Sequence, residues 1–492
     1  MAYQDLQEFL AVLRTHGEIT TIEEPVSPRL EVSEICDRVV KSGGPALLFT
    51  HLTKADGGRY PMPLLINTFG SERRMTLALE VERLDDLAAE IASFLEPEIP
   101  ESLVGKIRMV PKLARLSALQ PKAVTRAACQ EMVETKNPSL ADIPIITCWP
   151  MDAGPYITLP LVFTRHPDLG TRNIGMYRLQ VFDDKTLGMH WQLHKGGAEH
   201  FRAAASRGER MPVAIALGPS PALIYAATAP LPPEIDELML AGFIQKKSVE
   251  MVRCVSIDME VPASSQIVLE GYVDPSERRV EGPFGDHTGF YSLADSYPVF
   301  HLTAVTRRRD PIYPTIIVGP PPMEDAYLGL ATERLFLPLI KKVLPEVVDV
   351  WLPPEGIFHN LAILKINKRY PGHARKVIHA VWGLGQLMFT KIVIVVDADC
   401  DIRNPAELVW RVGTHIDAKR DIVLSEGPLD VLDFAGQAPA YGGKLGIDAT
   451  RKMKEEGFTG EWPPIIRMDP EVIQRIDALW PKLGLRPPGR DR

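Results

Sequence analysis

The spacing of apolar residues changes twice along the chain, and each change marks a new kind of element. Up to about residue 116 apolar positions recur at helical intervals, with an amphipathic helix over 84–94 stopped by Glu96, Pro97, Glu98, Ile99 and Pro100. Residues 46–49 interrupt this block as a short apolar strand. From about 130 to 318 alternation takes over and predicts strands at 157–164, 175–182, 212–217, 249–259, 265–273 and 299–305. Antiparallel strands joined by short turns point to a barrel. Beyond Tyr327 the two periods alternate, with a helix over 374–382 and a buried strand over 391–396, so the last block reads as α/β. The expected plan is a mixed α/β chain in three blocks, 1–116, 117–320 and 321–492, with no internal repeat.

Two stretches within the strand-rich block concentrate polar chemistry. The first runs from Asn173 to Gln180 and, after the turn Asp183-Asp184-Lys185-Thr186, from Leu187 to Gly197. Both halves alternate, so an antiparallel hairpin is expected. Asn173 and Arg178 are five residues apart, and a bulge at Gly175 would bring them to one face with His190. Taken singly, His190 is more often a satisfied polar residue than a ligand, and Trp191 more often core. Lys195-Gly196-Gly197 precedes a helix candidate at 198–205, whose first N–H groups suit a phosphate.

The second stretch is Glu281-Gly282-Pro283-Phe284-Gly285-Asp286-His287-Thr288-Gly289. Residues five apart share neither a strand face nor a helix stripe, so Glu281 and Asp286 meet only if the chain turns between them. Two carboxylates facing one cavity repel, which is expected to raise one pKa and equip that group for acid–base work. The bland alternative is an acidic surface turn.

Composition narrows the classes. The 492 residues carry 55 Lys plus Arg against 63 Asp plus Glu, a formal net charge of −8, so no broad basic surface for nucleic acid is expected. The start lacks a basic and apolar leader, no apolar run reaches membrane-spanning length, and a cytoplasmic protein is expected. Cys36, Cys129, Cys148, Cys254 and Cys400 are odd in number without Cys-x-x-Cys spacing, which speaks against a disulfide framework or a zinc site.

These motifs, with Asp5-Leu6-Gln7-Glu8-Phe9-Leu10, Gly43-Gly44-Pro45, Ile143-Pro144-Ile145-Ile146-Thr147-Cys148-Trp149-Pro150, Leu352-Pro353-Pro354-Glu355-Gly356 and Gly442-Gly443-Lys444-Leu445-Gly446, occur in the order of one family. Nearly end to end, the chain resembles the UbiD family of prenylated-FMN-dependent decarboxylases, above all its polyprenyl-hydroxybenzoate branch. The resemblance implies an N-terminal α/β region, a central flavin-binding split β-barrel and a C-terminal α/β domain with oligomer contacts. It assigns Asn173, His190 and Glu237 to a divalent metal, manganese, with K+ as a further ion. Met176, Tyr177, Arg178, His190, Trp191, Gln192, Lys195, Gly196 and Lys391 would contact prenylated FMN. By pattern alone Glu237, within 233–243, would be on a solvated helix face.

Arg178, Glu281 and Asp286 match the family's catalytic trio. In that reading Arg178 clamps the substrate carboxylate, Glu281 holds Arg178, and Asp286 delivers the proton that replaces carbon dioxide, while a covalent adduct with the flavin takes the charge. The substrate implied is a 4-hydroxy-3-polyprenylbenzoate of quinone biosynthesis. Because His190 stands where some close relatives carry arginine, other aromatic, heteroaromatic or menaquinone-pathway acids remain open. The partners implied are a flavin prenyltransferase, further copies of the chain in a dimer or hexamer, and peripheral membrane contact for a lipophilic substrate.

Two rival classes stand against this reading. Asp397-Ala398-Asp399 after an apolar strand resembles the metal motif of nucleotide-sugar glycosyltransferases, although acidic strand ends are common in α/β folds. A catalytically silent flavin-binding or assembly protein would not need Arg178, Glu281 and Asp286 together.

Overall fold

In the strand Met211–Leu217 both faces are apolar, and the two faces feed different cores. Val213, Ile215 and Leu217 join Tyr156, Leu187, Phe284 and Phe300, whereas Ala214 and Ala216 join Phe9, Leu161, Phe163, Leu223 and Tyr225. Burying each large apolar side chain contributes about 1.5–3 kcal/mol, so this strand is fixed from two sides. The computed structural model describes residues 3–95, 119–192, 195–231 and 235–485. The proline-rich stop at 96–100, His194 and Pro233 lie outside them.

The described chain forms two compact units, the first holding the residues up to Leu339 with Leu352–Phe358 and Asp430–Ala440. Its main sheet has nine strands. In space the path runs Tyr156–Ile157, Leu179–Asp183, Thr186–Met189, Asp295–Arg307, Ile267–Glu281, Met211–Leu217, Pro160–Arg165, Arg172–Met176, with Met132–Glu134 added on Asp295–Arg307. No pairing among the described residues closes this sheet into a barrel. Its ends nevertheless approach each other. Arg172–Met176 is the last strand of the path and Leu179–Asp183 the second, yet only Tyr177 and Arg178 separate them, a span of at most about 11 Å. The sheet is therefore rolled, with Arg178 in its seam.

This seam corrects two expectations. The strand expected over 175–182 is broken at Tyr177 and Arg178, and Gly175 is no bulge, because the register from Leu161↔Met176 to Arg165↔Arg172 is regular. Gly175 instead makes room: a Cβ there would come within 2.2 Å of the Tyr177 hydroxyl, so the ring folds back over it. The hairpin of Leu179–Asp183 with Thr186–Met189 is antiparallel as its turn predicts.

Two strands are much longer than alternation suggests. Ile267–Glu281 and Asp295–Arg307 continue past the core as a ribbon, with a register shift between Val273 and Arg278. Asp274, Ser276, Glu277, Arg278 and Arg279 carry no apolar alternation, so the sequence hides the extension that places Glu281. The strand expected over 249–259 shortens to Glu250–Arg253, in a separate sheet with Lys122–Val124 and Glu260–Pro262. Ala46–Phe49 forms as expected, between Ile19–Ile22 and Leu64–Ile66.

The second unit contains a five-stranded sheet in the order Val347–Trp351, Leu361–Ile366, Ile392–Asp397, Tyr441–Asp448, Ile422–Pro428. The helix His373–Trp382 lies next to its middle strand, so the α/β reading of this block holds. The five cysteines are unpaired. No helix among the described residues is long and apolar enough to cross a membrane.

Candidate active site

The turn after Glu281 does what the spacing of its residues requires. Glu281 ends the long strand, Gly282 takes φ +93°, and the short pair Phe284–Gly285 with Tyr291–Ser292 turns the chain back. Two side chains from elsewhere and one from the returning strand hold this turn. Gln180 Oε1 accepts the Gly282 N–H at 2.8 Å and the Tyr156 hydroxyl at 3.1 Å. Asp152 Oδ1 accepts the Gly285 N–H at 2.8 Å, and Ser292 Oγ accepts the Phe284 N–H at 3.3 Å.

Arg178 reaches this turn from the seam. Its Nε donates to Glu281 Oε1 at 3.0 Å and its Nη2 to Glu281 Oε2 at 3.3 Å and Ser292 Oγ at 3.0 Å. Its Nη1 donates to Asp286 Oδ2, and its guanidinium lies 4.8 Å from the Phe284 ring centroid. All three charged groups are buried, Glu281 completely.

The electrostatics overturn the expected repulsion. Burial works to raise both carboxyl pKa values, but His190 and Arg178 hold Glu281 below its ordinary value. Arg178 and His287 hold Asp286 far below its own. A cation placed between two carboxylates decides the sign, and no spacing rule in the sequence announces that cation. His190 moves the other way. Burial and the Arg178 charge lower its pKa, so the ring is neutral. Its Nδ1 then donates to Glu281 Oε2 at 3.0 Å, which leaves Nε2 as a buried lone pair with no hydrogen-bond partner among the described residues.

A second cluster lies just upstream on the same segment. The Glu237 carboxyl accepts the Ile174 N–H, and burial raises it to about 7. Asn173 Nδ2 donates to the Tyr177 hydroxyl at 3.3 Å, as does the Gly197 N–H at 3.4 Å. Glu237 begins the helix Glu237–Gln245 beside its Asp236 N-cap and is not on the solvated face that its pattern suggests. The structure thus brings Glu237 against the backbone of the segment that carries Asn173, while the strongest charges acting on His190 are Arg178, Glu281 and Asp286.

The residues around Gly196 and Gly197 form a cradle that tolerates no side chain. A Cβ at Gly196 would stand 2.2 Å from Asn173 Oδ1, and one at Gly197 2.7 Å from Trp191 Nε1. The helix Gly196–Ser206 starts here after Lys195 without a side-chain cap, and the buried Trp191 Nε1 has no acceptor among the described residues. The indole N–H lies beside the start of this helix, whose N-terminal dipole favours an anion, although the Gly197 N–H is taken by the Tyr177 hydroxyl and those of Ala198 and Glu199 by the Lys195 carbonyl. Met176 and Gln192 are half-buried at the edges of this region. Lys391 belongs to the second unit, where it precedes the strand Ile392–Asp397.

Three domains of one family match in sequence order. The N-terminal domain of 3-octaprenyl-4-hydroxybenzoate carboxy-lyase matches residues 10–91, its Rift-related domain 122–321 and its C-terminal domain 326–449. The chain belongs to the UbiD family. It is a carboxy-lyase of that family. A UbiD-class structure, HmfF from Pelotomaculum thermopropionicum in complex with FMN, is similar at 29% identity and a TM-score of 0.80, covering 96% of this chain and 98% of that one. The closed form of Sedimentibacter hydroxybenzoicus vanillic acid decarboxylase is similar at 27% identity and a TM-score of 0.84, covering 99% and 100%. An uncharacterized protein of Archaeoglobus fulgidus is 51% identical over 482 residues, covering 98% of each chain.

Membership in the UbiD family leaves the Asp397-Ala398-Asp399 motif to be explained otherwise. Asp397 Oδ2 accepts the Arg451 N–H at 2.8 Å, and Asp399 pairs with the side chains of Arg451 and Arg411. These carboxylates anchor arginines within the second unit. Among the trio's neighbours, sequence reasoning missed Ser292, Asp152 and the holding role of Gln180. Gln180 lies inside the first motif, whereas Ser292 and Asp152 have no distinctive sequence context.

Proposed function

We propose that this UbiD-family enzyme removes carbon dioxide, without oxidation, from an aromatic acid, using prenylated FMN and a divalent metal. One observation carries the reading: a buried arginine fork held by two ionised carboxylates, at the edge of an anion cradle. Prenylated FMN, when bound, supplies the electron sink that an aromatic ring lacks as carbon dioxide leaves. The cradle at Lys195, Gly196, Gly197 and Trp191 fits its phosphate, with Met176, Tyr177 and Gln192 beside it. Asn173, Glu237 and the bare Nε2 of His190 are the metal donors, an oxygen and imidazole set that suits manganese.

The protein's own part is to orient the acid and supply a proton. A substrate carboxylate approaching Arg178 competes for Nη1 and Nη2, while Glu281 keeps Nε and fixes the plane of the fork. Asp286 gives way. Removed from the arginine's charge, its carboxyl rises toward the range in which it carries a proton. It then protonates the ring carbon that has lost carbon dioxide.

A 4-hydroxy-3-polyprenylbenzoate is the leading substrate, supported by the octaprenyl acid in the matched family's own description. A smaller aromatic acid is the second reading, supported by similarity to a vanillic acid decarboxylase. Assembly as a homo-oligomer is supported by similarity to an evolved dimeric form of HmfF. The test is mass spectrometry of carbon dioxide release and ring deuteration over a panel of aromatic acids, with protein co-expressed with a flavin prenyltransferase. Turnover by protein lacking any flavin would overturn the reading.

A further inference from the structure

Asp286 is held through both of its oxygens. Oδ2 accepts from Arg178 Nη1, while Oδ1 accepts the His287 backbone N–H at 2.8 Å and lies 2.9 Å from His287 Nδ1. A carboxylate in this grip is ionised and holds no proton to give. A proton has to be brought to it in each cycle, and arginine does not release one. Of the titratable side chains hydrogen-bonded to Asp286 among the described residues, His287 is the other.

The surroundings of His287 fit a proton carrier. Its ring stacks on Phe358 at 5.7 Å and feels the charges of Asp286, Asp325 and Asp430. Burial opposes a charged ring here, but the bond to Asp286 and the charge of Asp286 outweigh it, and the His287 pKa is raised. Asp325, in the first turn of the helix Glu324–Val343, is lifted by burial to about 7.

We propose that His287 is a relay residue that reprotonates Asp286 during turnover; this rests on the decarboxylase reading above. When the substrate carboxylate takes Arg178 Nη1, the Nδ1–H bond of the imidazolium breaks and an O–H bond forms on Asp286 Oδ1. The N–H electron pair stays on Nδ1, leaving a neutral ring and a neutral carboxylic acid. Asp286 then passes that proton to the ring carbon, whose electron pair forms the new C–H bond. The carboxylate returns to Arg178, and His287 takes its next proton from water.

The test separates carbon chemistry from proton delivery in one holoenzyme. His287→Gln preserves a hydrogen-bond donor beside Asp286 but carries no transferable proton. The variant, loaded with prenylated FMN, is given an aromatic acid that the wild type turns over, with 13C-bicarbonate in D2O. The expected result is a split: 13C exchange into the substrate carboxyl stays within about threefold of wild type, while ring deuteration and kcat fall about 10²–10⁴-fold at unchanged KM. Wild-type deuteration in His287→Gln, with deuteration lost in Asp286→Asn, would overturn the relay and leave the decarboxylase reading intact. Equal loss of exchange and deuteration would also overturn it, since that is the mark of a structural role. Wild-type deuteration in both variants would remove Asp286 as the acid and sink both readings. Should His287→Gln fail to fold, His287→Asn is read by the same split.

Discussion

Arg178 and Glu281 are joined by two hydrogen bonds, at 3.0 and 3.3 Å, across 103 residues of sequence. The pair is buried and sits in a region fixed from several strands, so each partner's charge depends on the other. Arg178→Lys retains the charge but loses the planar fork. It should lower kcat about 10²–10³-fold with the flavin still bound, measured by steady-state turnover and the flavin absorbance of the purified protein. Near-normal kcat would show that charge alone suffices.

Asp286→Asn keeps size and hydrogen bonding but has no acidic proton. It should load cofactor normally and lose ring deuteration and most turnover, by about 10²–10⁴-fold. Wild-type turnover across several aromatic acids would make the turn structural only.

The cradle makes a prediction about binding. Gly197→Ala sets a Cβ against Trp191 Nε1, and Gly196→Ala one against Asn173 Oδ1, so both should purify folded with little flavin. Glu237→Gln, a poorer ligand, should lower metal content measured by elemental analysis. Unchanged occupancy in all three would refute the assignment of this region.

Glu324 predicts a pH dependence of stability. It is fully buried, accepts the Phe69 N–H at 2.7 Å, and burial raises its pKa to about 7. A carboxyl raised on folding stabilises fully below its unfolded value of about 4.5 and loses that contribution as pH rises through about 7. Glu324→Gln, neutral at every pH, should therefore gain on the wild type between pH 5 and 8 by on the order of 1–3 kcal/mol in unfolding experiments. A pH-independent difference would contradict the buried protonated state.

Association is checked by light scattering. A homo-oligomer has at least twice the 54.7 kDa of one chain. A mass near that single value at working concentration would rule it out.

How legible each feature was in the sequence depends on the range of the contact that makes it. The 281–289 turn and the hairpin at 183–186 are local, and their Gly, Pro and Asp residues announce them. The break at Tyr177 is harder to see, because Gly175 suits a bulge as well as it suits a ring folded over it. The charge state of Glu281 and Asp286 was not legible, since a carboxylate pair without Arg178 would titrate in the opposite direction. Ser292 and Asp152 escape notice for a related reason. Each acts through one hydrogen bond to a distant segment, and a single serine or aspartate has no period or spacing to mark it.

The short crossing at Tyr177 and Arg178 also works as a ruler. Asn173 and Arg178, which the proposed function assigns to the metal and to the substrate, are five residues apart along the chain, so covalent geometry caps their separation at about 18 Å. Residues lining the acid's far end can therefore drift toward new substrates without disturbing that distance. One residue inserted between Asn173 and Arg178 would detune every substrate at once.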